Sequence, residues 1–349
     1  MKGKASTVSL GDIAREAGVS RVAVCYALRN SPGVSPATRK RVVEISKRLG
    51  YVPDARIASW MASVRDSKKK DLLPLAWLNT IGDTKTWRQY EFLSPFIEGA
   101  QERALHLGYR IDEIWTHQPG MSMARISRML FQRGIEGVIV TYPATHIRLD
   151  WKRFVGVAIG GSLLAPRLHR VMADHYYNLL LALKMLKRHG YRRIGICIEQ
   201  AVDCYSAHTL RAAAVYFQAT TPKANQIPPL FYLHRTPEDW PAAKTAIMDW
   251  LSINKPDVVV CQSSRMLACV EEAGYRVPEQ VGVVHLATDD DVADWAGVSS
   301  NRRMVGATAV ELAVSLVRNR QFGVPEMAPD TTIRGSWHPG RTLLIPKPK

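Results

Sequence analysis

The sequence predicts a small all-α helix-turn-helix headpiece at the N-terminus, followed by a two-lobed α/β domain built on two doubly wound parallel sheets. Three observations predict this. Two short helical patterns flank a tight Gly18-Val19-Ser20 turn near the start; strand-like apolar runs alternate with helical segments from Leu72 onward in two successive sets; and 349 residues with 46% apolar content exceed what one compact core takes up.

In the headpiece, Ser9 followed three residues later by Asp12 is a capping-box-like start for a helix carrying Ile13, Ala14 and Ala17 on one face, and Gly18 ends it. The chain restarts at Ser20, so the second helix must cross the first sharply, with Val24, Ala27 and Leu28 inward and Arg21, Val22, Cys25, Tyr26 and Arg29 outward. Ser35 as N-cap and Pro36 at the first helical position announce a third helix through Val42, Val43, Ile45 and Leu49, stopped by Gly50. The segment from Asp54 to Ala62 starts on an N-cap residue and has good helix formers, yet is too short to stand alone in water. Ser67 to Asp71 reads as a solvated linker.

Charge points to a polyanion. Lys and Arg number 47 against 31 acids, and residues 1–70 hold fifteen basic residues against five acidic ones, which is +10 of the total +16.

The remainder alternates. The first set is LPLAWLNT, Phe92 to Leu107, YRIDEIW, Met121 to Arg133, EGVIVTY and FVGVAIG. The second is Tyr176 to His189, RRIGICIE, Ala207 to Ala219, PPLFYLH, Lys244 to Ile253, PDVVVC, Met266 to Ala273 and VGVVHL. Parallel βαβ units follow from this rhythm, and ligands of such folds bind at the carboxyl ends of the strands, which puts a cleft between the lobes.

Other classes find little support. No phosphate-binding glycine loop follows a strand, and neither G-x-S-x-G nor H-E-x-x-H occurs, so no catalytic residues and no cofactor are expected; Ser162 after Gly160-Gly161 reads as an ordinary turn. Cys197, Cys204 and His208 lack a fourth ligand, and no metal is expected. Five cysteines, Cys25 among them, form no dense framework, no apolar run reaches eighteen residues and the first ten residues lack a signal-like apolar stretch; a cytoplasmic protein is the expectation.

The run VSLGDIAREAGVSRVAVCYALRNSPGVSPATRKRVVEISKRLGYVPD resembles the headpiece of the lactose repressor (LacI/GalR) family of transcriptional regulators, through D-I-A-x-x-A-G-V-S, the Asn30 to Ser35 stretch and Gly50-Tyr51-Val52-Pro53. The resemblance implies a homodimer whose second helix enters the major groove of double-stranded DNA, with Arg21, Val22 and Tyr26 at base-reading positions and Ser9, Ser20, Arg29, Asn30, Arg56 and Trp60 completing the DNA-facing set. Cys25-Tyr26 replaces the Ser-Arg of many members, so the operator should differ. Arg21 has two readings, a guanine contact or a phosphate contact. Trp60 falls where the family inserts a minor-groove leucine; it is either that wedge or a packing residue.

From Leu72 the chain looks like the family's periplasmic-binding-protein-like core, including Arg276 to Val284 and Gly306 to Val314. By that likeness the headpiece spans 1–53, hinge helix and linker 54–71, and the effector-binding and dimerisation domain 72–349, with the first lobe near 72–170 plus 300–322 and the second near 171–299 plus 323–340. The implied effector contacts are Arg211, Gln262, Ser263 and Asp289, with Asp83, Trp87 and Trp295 as candidates. Trp295 is either a sugar-stacking ring or a core residue, and the Asp289-Asp290-Asp291 run either a ligand loop or a solvated one. Asp174 more naturally caps the following helix. The function implied is a regulator of repressor type, whose affinity for a pseudo-palindromic operator is set by a small molecule, by family habit a sugar.

Overall fold

A computed structural model describes residues 9–28, 34–51, 72–82, 93–141, 143–234, 236–289 and 292–344. The chain divides into two units, residues 1–71 and 72–349.

In the first unit α1 spans Leu10–Ala17, α2 Arg21–Leu28 and α3 Pro36–Arg48. Each starts where a side chain replaces the missing backbone acceptor. The Ser9 hydroxyl accepts from Asp12 N at 3.3 Å while the Asp12 carboxylate accepts from Ser9 N at 3.0 Å. Ser20 Oγ accepts from Ala23 N at 3.1 Å, and Ser35 Oγ from Thr38 N at 3.2 Å. Gly18 ends α1 in the left-handed region, φ 62°, which glycine adopts without a Cβ clash. The helices enclose one core of Ile13, Ala14, Ala17, Val24, Ala27, Val42 and Ile45, with Arg48 ion-paired to Glu16 across α3 and α1.

The second unit holds two six-stranded sheets. In the first, β2 (Tyr109–Trp115), β1 (Leu73–Asn79), β3 (Gly137–Val140), β4 (Val155–Ile159), β5 (His169–Ala173) and β11 (Asp330–Ile333) lie in that order, all parallel. In the second the order is β7 (Leu230–Tyr232), β6 (Ile194–Glu199), β8 (Val258–Cys261), β9 (Gly282–His285), β10 (Gly297–Ser299) and β12 (Ser336–His338). β12 runs antiparallel to β10 and the other pairs are parallel. Central strands such as β3, β4, β8 and β9 are buried on both faces, which is why they read as unbroken apolar runs.

Helices α4 (Ser94–His106), α5 (Met123–Gln132) and α11 (Arg302–Arg318) belong to the first lobe. The second lobe has α6 (His175–Arg188), α7 (Gln200–Tyr205), α8 (Thr209–Thr220), α9 (Trp240–Asn254) and α10 (Arg265–Glu272). Among α4 and α11 the packing is close: a β-carbon on Gly99 would sit 2.0 Å from Arg303 O, and one on Gly306 1.9 Å from Phe96 O.

The chain passes between lobes three times, after β5, after β10 and between β11 and β12. This corrects the expected lobe boundaries. Residues 171–173 and 330–333 belong to the first sheet, because β5 carries β11 beside it, with Asp330 opposite Arg170 and Ile333 opposite Ala173. The crossings are pinned locally: Asp174 Oδ1 caps α6 through Tyr177 N at 2.9 Å, Gly335 N donates to Asn178 Oδ1 at 2.8 Å, and Asn301 Nδ2 donates to Arg334 O at 2.8 Å. Among the described residues no helix is long and apolar enough to cross a membrane.

Candidate nucleic-acid interface and ligand cleft

On the headpiece, Val24 and Ala27 tie α2 to the core while Arg21 and Tyr26 remain exposed, Tyr26 at 45%. The guanidinium of Arg21 lies over Gly11, where a β-carbon would come 3.0 Å from Nη2. Gly11 thus leaves the space Arg21 occupies beside the first turn of α1. The Ser9 and Ser20 hydroxyls are already engaged as caps. Hydrogen bonds from Ser9 hold the Asp12 carboxyl below its usual range, helped by Arg15 and Arg21 nearby. The Val22 side chain and Arg29, Asn30, Arg56 and Trp60 lie outside the described residues, as do Asp83 and Trp87 of the expected cleft.

All three crossings leave the carboxyl ends of strands, so those ends of the two sheets face one another. They touch where Gly161, just past β4, donates its N–H at 2.7 Å to the carbonyl of Tyr205, the last residue of the short helix α7 that follows β6.

On the second-lobe side Arg211 is strongly positioned. Asp203, 1% exposed, accepts from Arg211 N at 3.1 Å, from Arg211 Nε at 3.0 Å and meets His208 Nδ1 at 3.0 Å. The guanidinium also stacks on Phe231, 3.8 Å from the ring centroid, and its side chain keeps 47% exposure. Gln262 follows β8 with Oε1 buried and lacking a hydrogen-bond partner in the protein. Ser263 bonds the hydroxyl of Tyr232 and offers its carbonyl to Cys261 Sγ at 3.7 Å.

Two expected contacts go elsewhere. Asp289 is spent inside the protein: Oδ2 accepts from Ser300 N at 2.9 Å, Ser300 Oγ at 2.8 Å and Arg302 N at 3.4 Å, and Oδ1 takes the Ser299 hydroxyl. It tethers the start of α11 and lines a cavity of about 870 Å³ flanked by Glu98, Glu102, Arg103 and Arg303. Trp295 is 5% exposed, packed in the second-lobe core with Ile247 and Trp250 and edge-on to His285 at 6.0 Å. Of its two readings, burial selects the core residue. Asp174 caps α6 as expected.

The structure adds groups that sequence reasoning missed. Ser162, which the sequence reads as an ordinary turn residue, is 8% exposed with an unpartnered buried Oγ next to the cross-lobe contact. The glycine pair before it, at the carboxyl end of a strand, was the available signal. A second group joins side chains far apart in the chain. His234 Nδ1 approaches Glu199 Oε2 at 3.4 Å, Arg265 Nη1 approaches His234 Nε2 at 3.3 Å, and Arg265 lies 4.6 Å from the Trp240 ring centroid. With Arg265 donating to Nε2, the neutral tautomer carries its proton on Nδ1 and gives it to Glu199. Burial raises the Glu199 carboxyl above its usual range against the opposing pull of His234 and Arg265. Nothing in the spacing of residues 199, 234 and 265 betrays this. Among the described residues no group of three or more His, Cys, Asp or Glu side chains is placed to hold a metal ion.

Comparison with known proteins gives consistent matches. The profile of bacterial regulatory proteins of the lacI family matches residues 9–54, and that of a periplasmic binding protein-like domain residues 183–337. The HTH-type transcriptional repressor PurR of Aliivibrio salmonicida is 21% identical over 346 residues, 95% of this chain and 99% of its own length. Catabolite control protein A of Priestia megaterium is 33% identical over 107 residues, 29% of this chain and 32% of its own. Among solved structures, the transcriptional regulator CelR in complex with cellobiose has a TM-score of 0.58 at 19% identity, covering 96% of this chain and 99% of that one. The lac repressor dimer bound to operator and the anti-inducer ONPF has a TM-score of 0.57 at 19% identity, covering 97% and 100%.

Proposed function

The chain belongs to the lacI family of bacterial regulatory proteins, and from that premise we propose that it is a sequence-specific DNA-binding transcriptional regulator of repressor type, controlled by a small molecule held between its two lobes. The observation that carries the reading is the second headpiece helix, anchored by Val24 and Ala27 and leaving Arg21 and Tyr26 exposed inside the matched segment 9–54. Two headpieces of a dimer, as in the lac repressor dimer on its operator, read half-sites about one helical turn apart.

The effector set proposed for the second lobe is Arg211, Gln262 and Ser263, joined by the Glu199–His234–Arg265 group against Trp240, with Ser162 opposite in the first lobe. Oriented donors and acceptors beside aromatic faces suit a hydroxyl-bearing ligand, and the CelR relative is a complex with the sugar cellobiose. The positioned arginine and the unpartnered Gln262 carbonyl are binding features, and among the described residues no nucleophile-base pair accompanies them; the reading is regulation, not catalysis. The protein is assigned to the cytoplasm, where its DNA lies.

Selection of bound sequences from a random DNA pool with the full-length protein, at two salt concentrations, tests this. A palindromic consensus with steep salt dependence is expected, and mono- and disaccharides screened against that complex should reveal the effector. Salt-sensitive binding without an enriched sequence, with or without those sugars, would overturn it.

A further inference from the structure

One carboxylate holds two things at once. Asp203 binds the backbone N and the Nε of Arg211, and it binds His208 Nδ1 and accepts His208 N at its own carbonyl at 2.9 Å. The turn it shapes, Tyr205 to His208, contains two consecutive non-glycine residues in the left-handed region, Ala207 at φ 53° and His208 at φ 61°. Such a pair persists only when its surroundings impose it. Ser206, fully buried, adds its hydroxyl to Asp203 O at 2.8 Å.

This same turn is where the second lobe touches the first. Gly161 N donates to Tyr205 O at 2.7 Å, and a β-carbon on Gly161 would lie 2.7 Å from Tyr205 O and 2.8 Å from Ala207 N. Only glycine lets the two backbones approach this closely.

We propose that Asp203 is a positioning residue that couples the Arg211 side chain to the contact between lobes: the grip of Arg211 on Asp203 sets the shape of the turn, and the turn sets how firmly the lobes hold together at Gly161. A ligand that engages Arg211 changes its pull on Asp203, and the change reaches the opposite lobe through two side chains and one turn. The ligand end of this chain rests on the reading of Arg211 given above; the coupling itself does not.

Hydrogen–deuterium exchange of the full-length protein, with neither DNA nor sugar added, reads both ends. Arg211→Ala and Asp203→Asn should each raise exchange at the Gly161 amide by about tenfold, a local opening of the kind exchange detects, while amides of β6 stay as protected as in the wild type. Gly161→Ala should raise exchange across 203–212 in the reverse direction. Ala207→Gly, which tolerates the same φ, should keep Gly161 protected. A purely local structural role for Asp203 predicts changes confined to its own loop, so unchanged Gly161 exchange in Arg211→Ala overturns the proposal. That variant and Gly161→Ala decide the matter if Asp203→Asn does not fold. Because no effector enters this experiment, its failure leaves the sugar screen intact, and failure of that screen leaves the coupling intact.

Discussion

Asp203 and Arg211 are joined at two points, through the Arg211 backbone N at 3.1 Å and Nε at 3.0 Å, with the carboxylate almost completely buried. Removing the guanidinium leaves that carboxylate relying on the Arg211 backbone N–H and His208. Arg211→Ala is expected to lower the unfolding free energy by about 2 kcal/mol, the scale of a hydrogen bond to a charged group, and to abolish the effector response while effector-free operator binding persists. Urea unfolding reads the first and operator binding the second. Arg211→Lys keeps a charge but lacks the Nε geometry and should rescue little of either.

Gly306 meets the Phe96 carbonyl so closely that any β-carbon collides with backbone. Gly306→Ala should destabilise the effector domain by about 3 kcal/mol, because α4 and α11 must separate to admit it. A thermal or urea midpoint equal to that of the wild type would show that the crossing yields more readily than its geometry implies.

Arg21 lies beside the first turn of α1, over Gly11. A phosphate contact there predicts that Arg21→Ala weakens all DNA sequences alike and lowers the salt slope by about 1. Loss of preference at one operator base, measured by competition among single-base variants, would mean that the side chain reads a base instead.

His175, at the start of α6, has its imidazole pKa lowered to about 4, chiefly by burial and further by Arg302, against the opposing effect of Asp174. The unfolded chain, near 6.5, therefore takes up the proton first. As pH falls from about 6.5 to about 4 the unfolded state binds more protons and stability declines, while above pH 7 this group contributes no slope. Burial shifts His169 in the same sense. His175→Gln should flatten the decline, as read from urea midpoints at pH 7, 6 and 5.

Trp295 fills the core beside Ile247 and Trp250. Trp295→Ala should cost about 3–5 kcal/mol of stability. Weakened ligand binding at full stability, compared by calorimetry and unfolding, would return the ring to the cleft.

The headpiece was legible in the sequence because its determinants are local. Ser9 with Asp12, Gly18, Ser20 and Ser35-Pro36 each act within a few residues, and the apolar positions between them alternate with the helix period. The buried strands β1, β3, β4, β6, β8 and β9 were legible for a similar reason: two-sided burial demands unbroken apolar runs. The short strands β5, β10, β11 and β12 were not: β5 and β10 carry only three to five residues, and β11 and β12 pair only after the chain has returned from the other lobe, as Asp330 returns to Arg170. Site residues divide the same way. Arg211 was singled out by its motif, but its clamp on Asp203, the Glu199–His234–Arg265 group and the exposure of Gly161 to Tyr205 arise from contacts between separate segments. Asp289 and Trp295 show the limit most plainly. An acid and an aromatic in a loop carry the same letters whether they face a ligand or the protein, and only the tertiary structure decided that the Asp289 carboxylate is taken up by Ser299, Ser300 and the start of α11 and that Trp295 is desolvated against the second-lobe core.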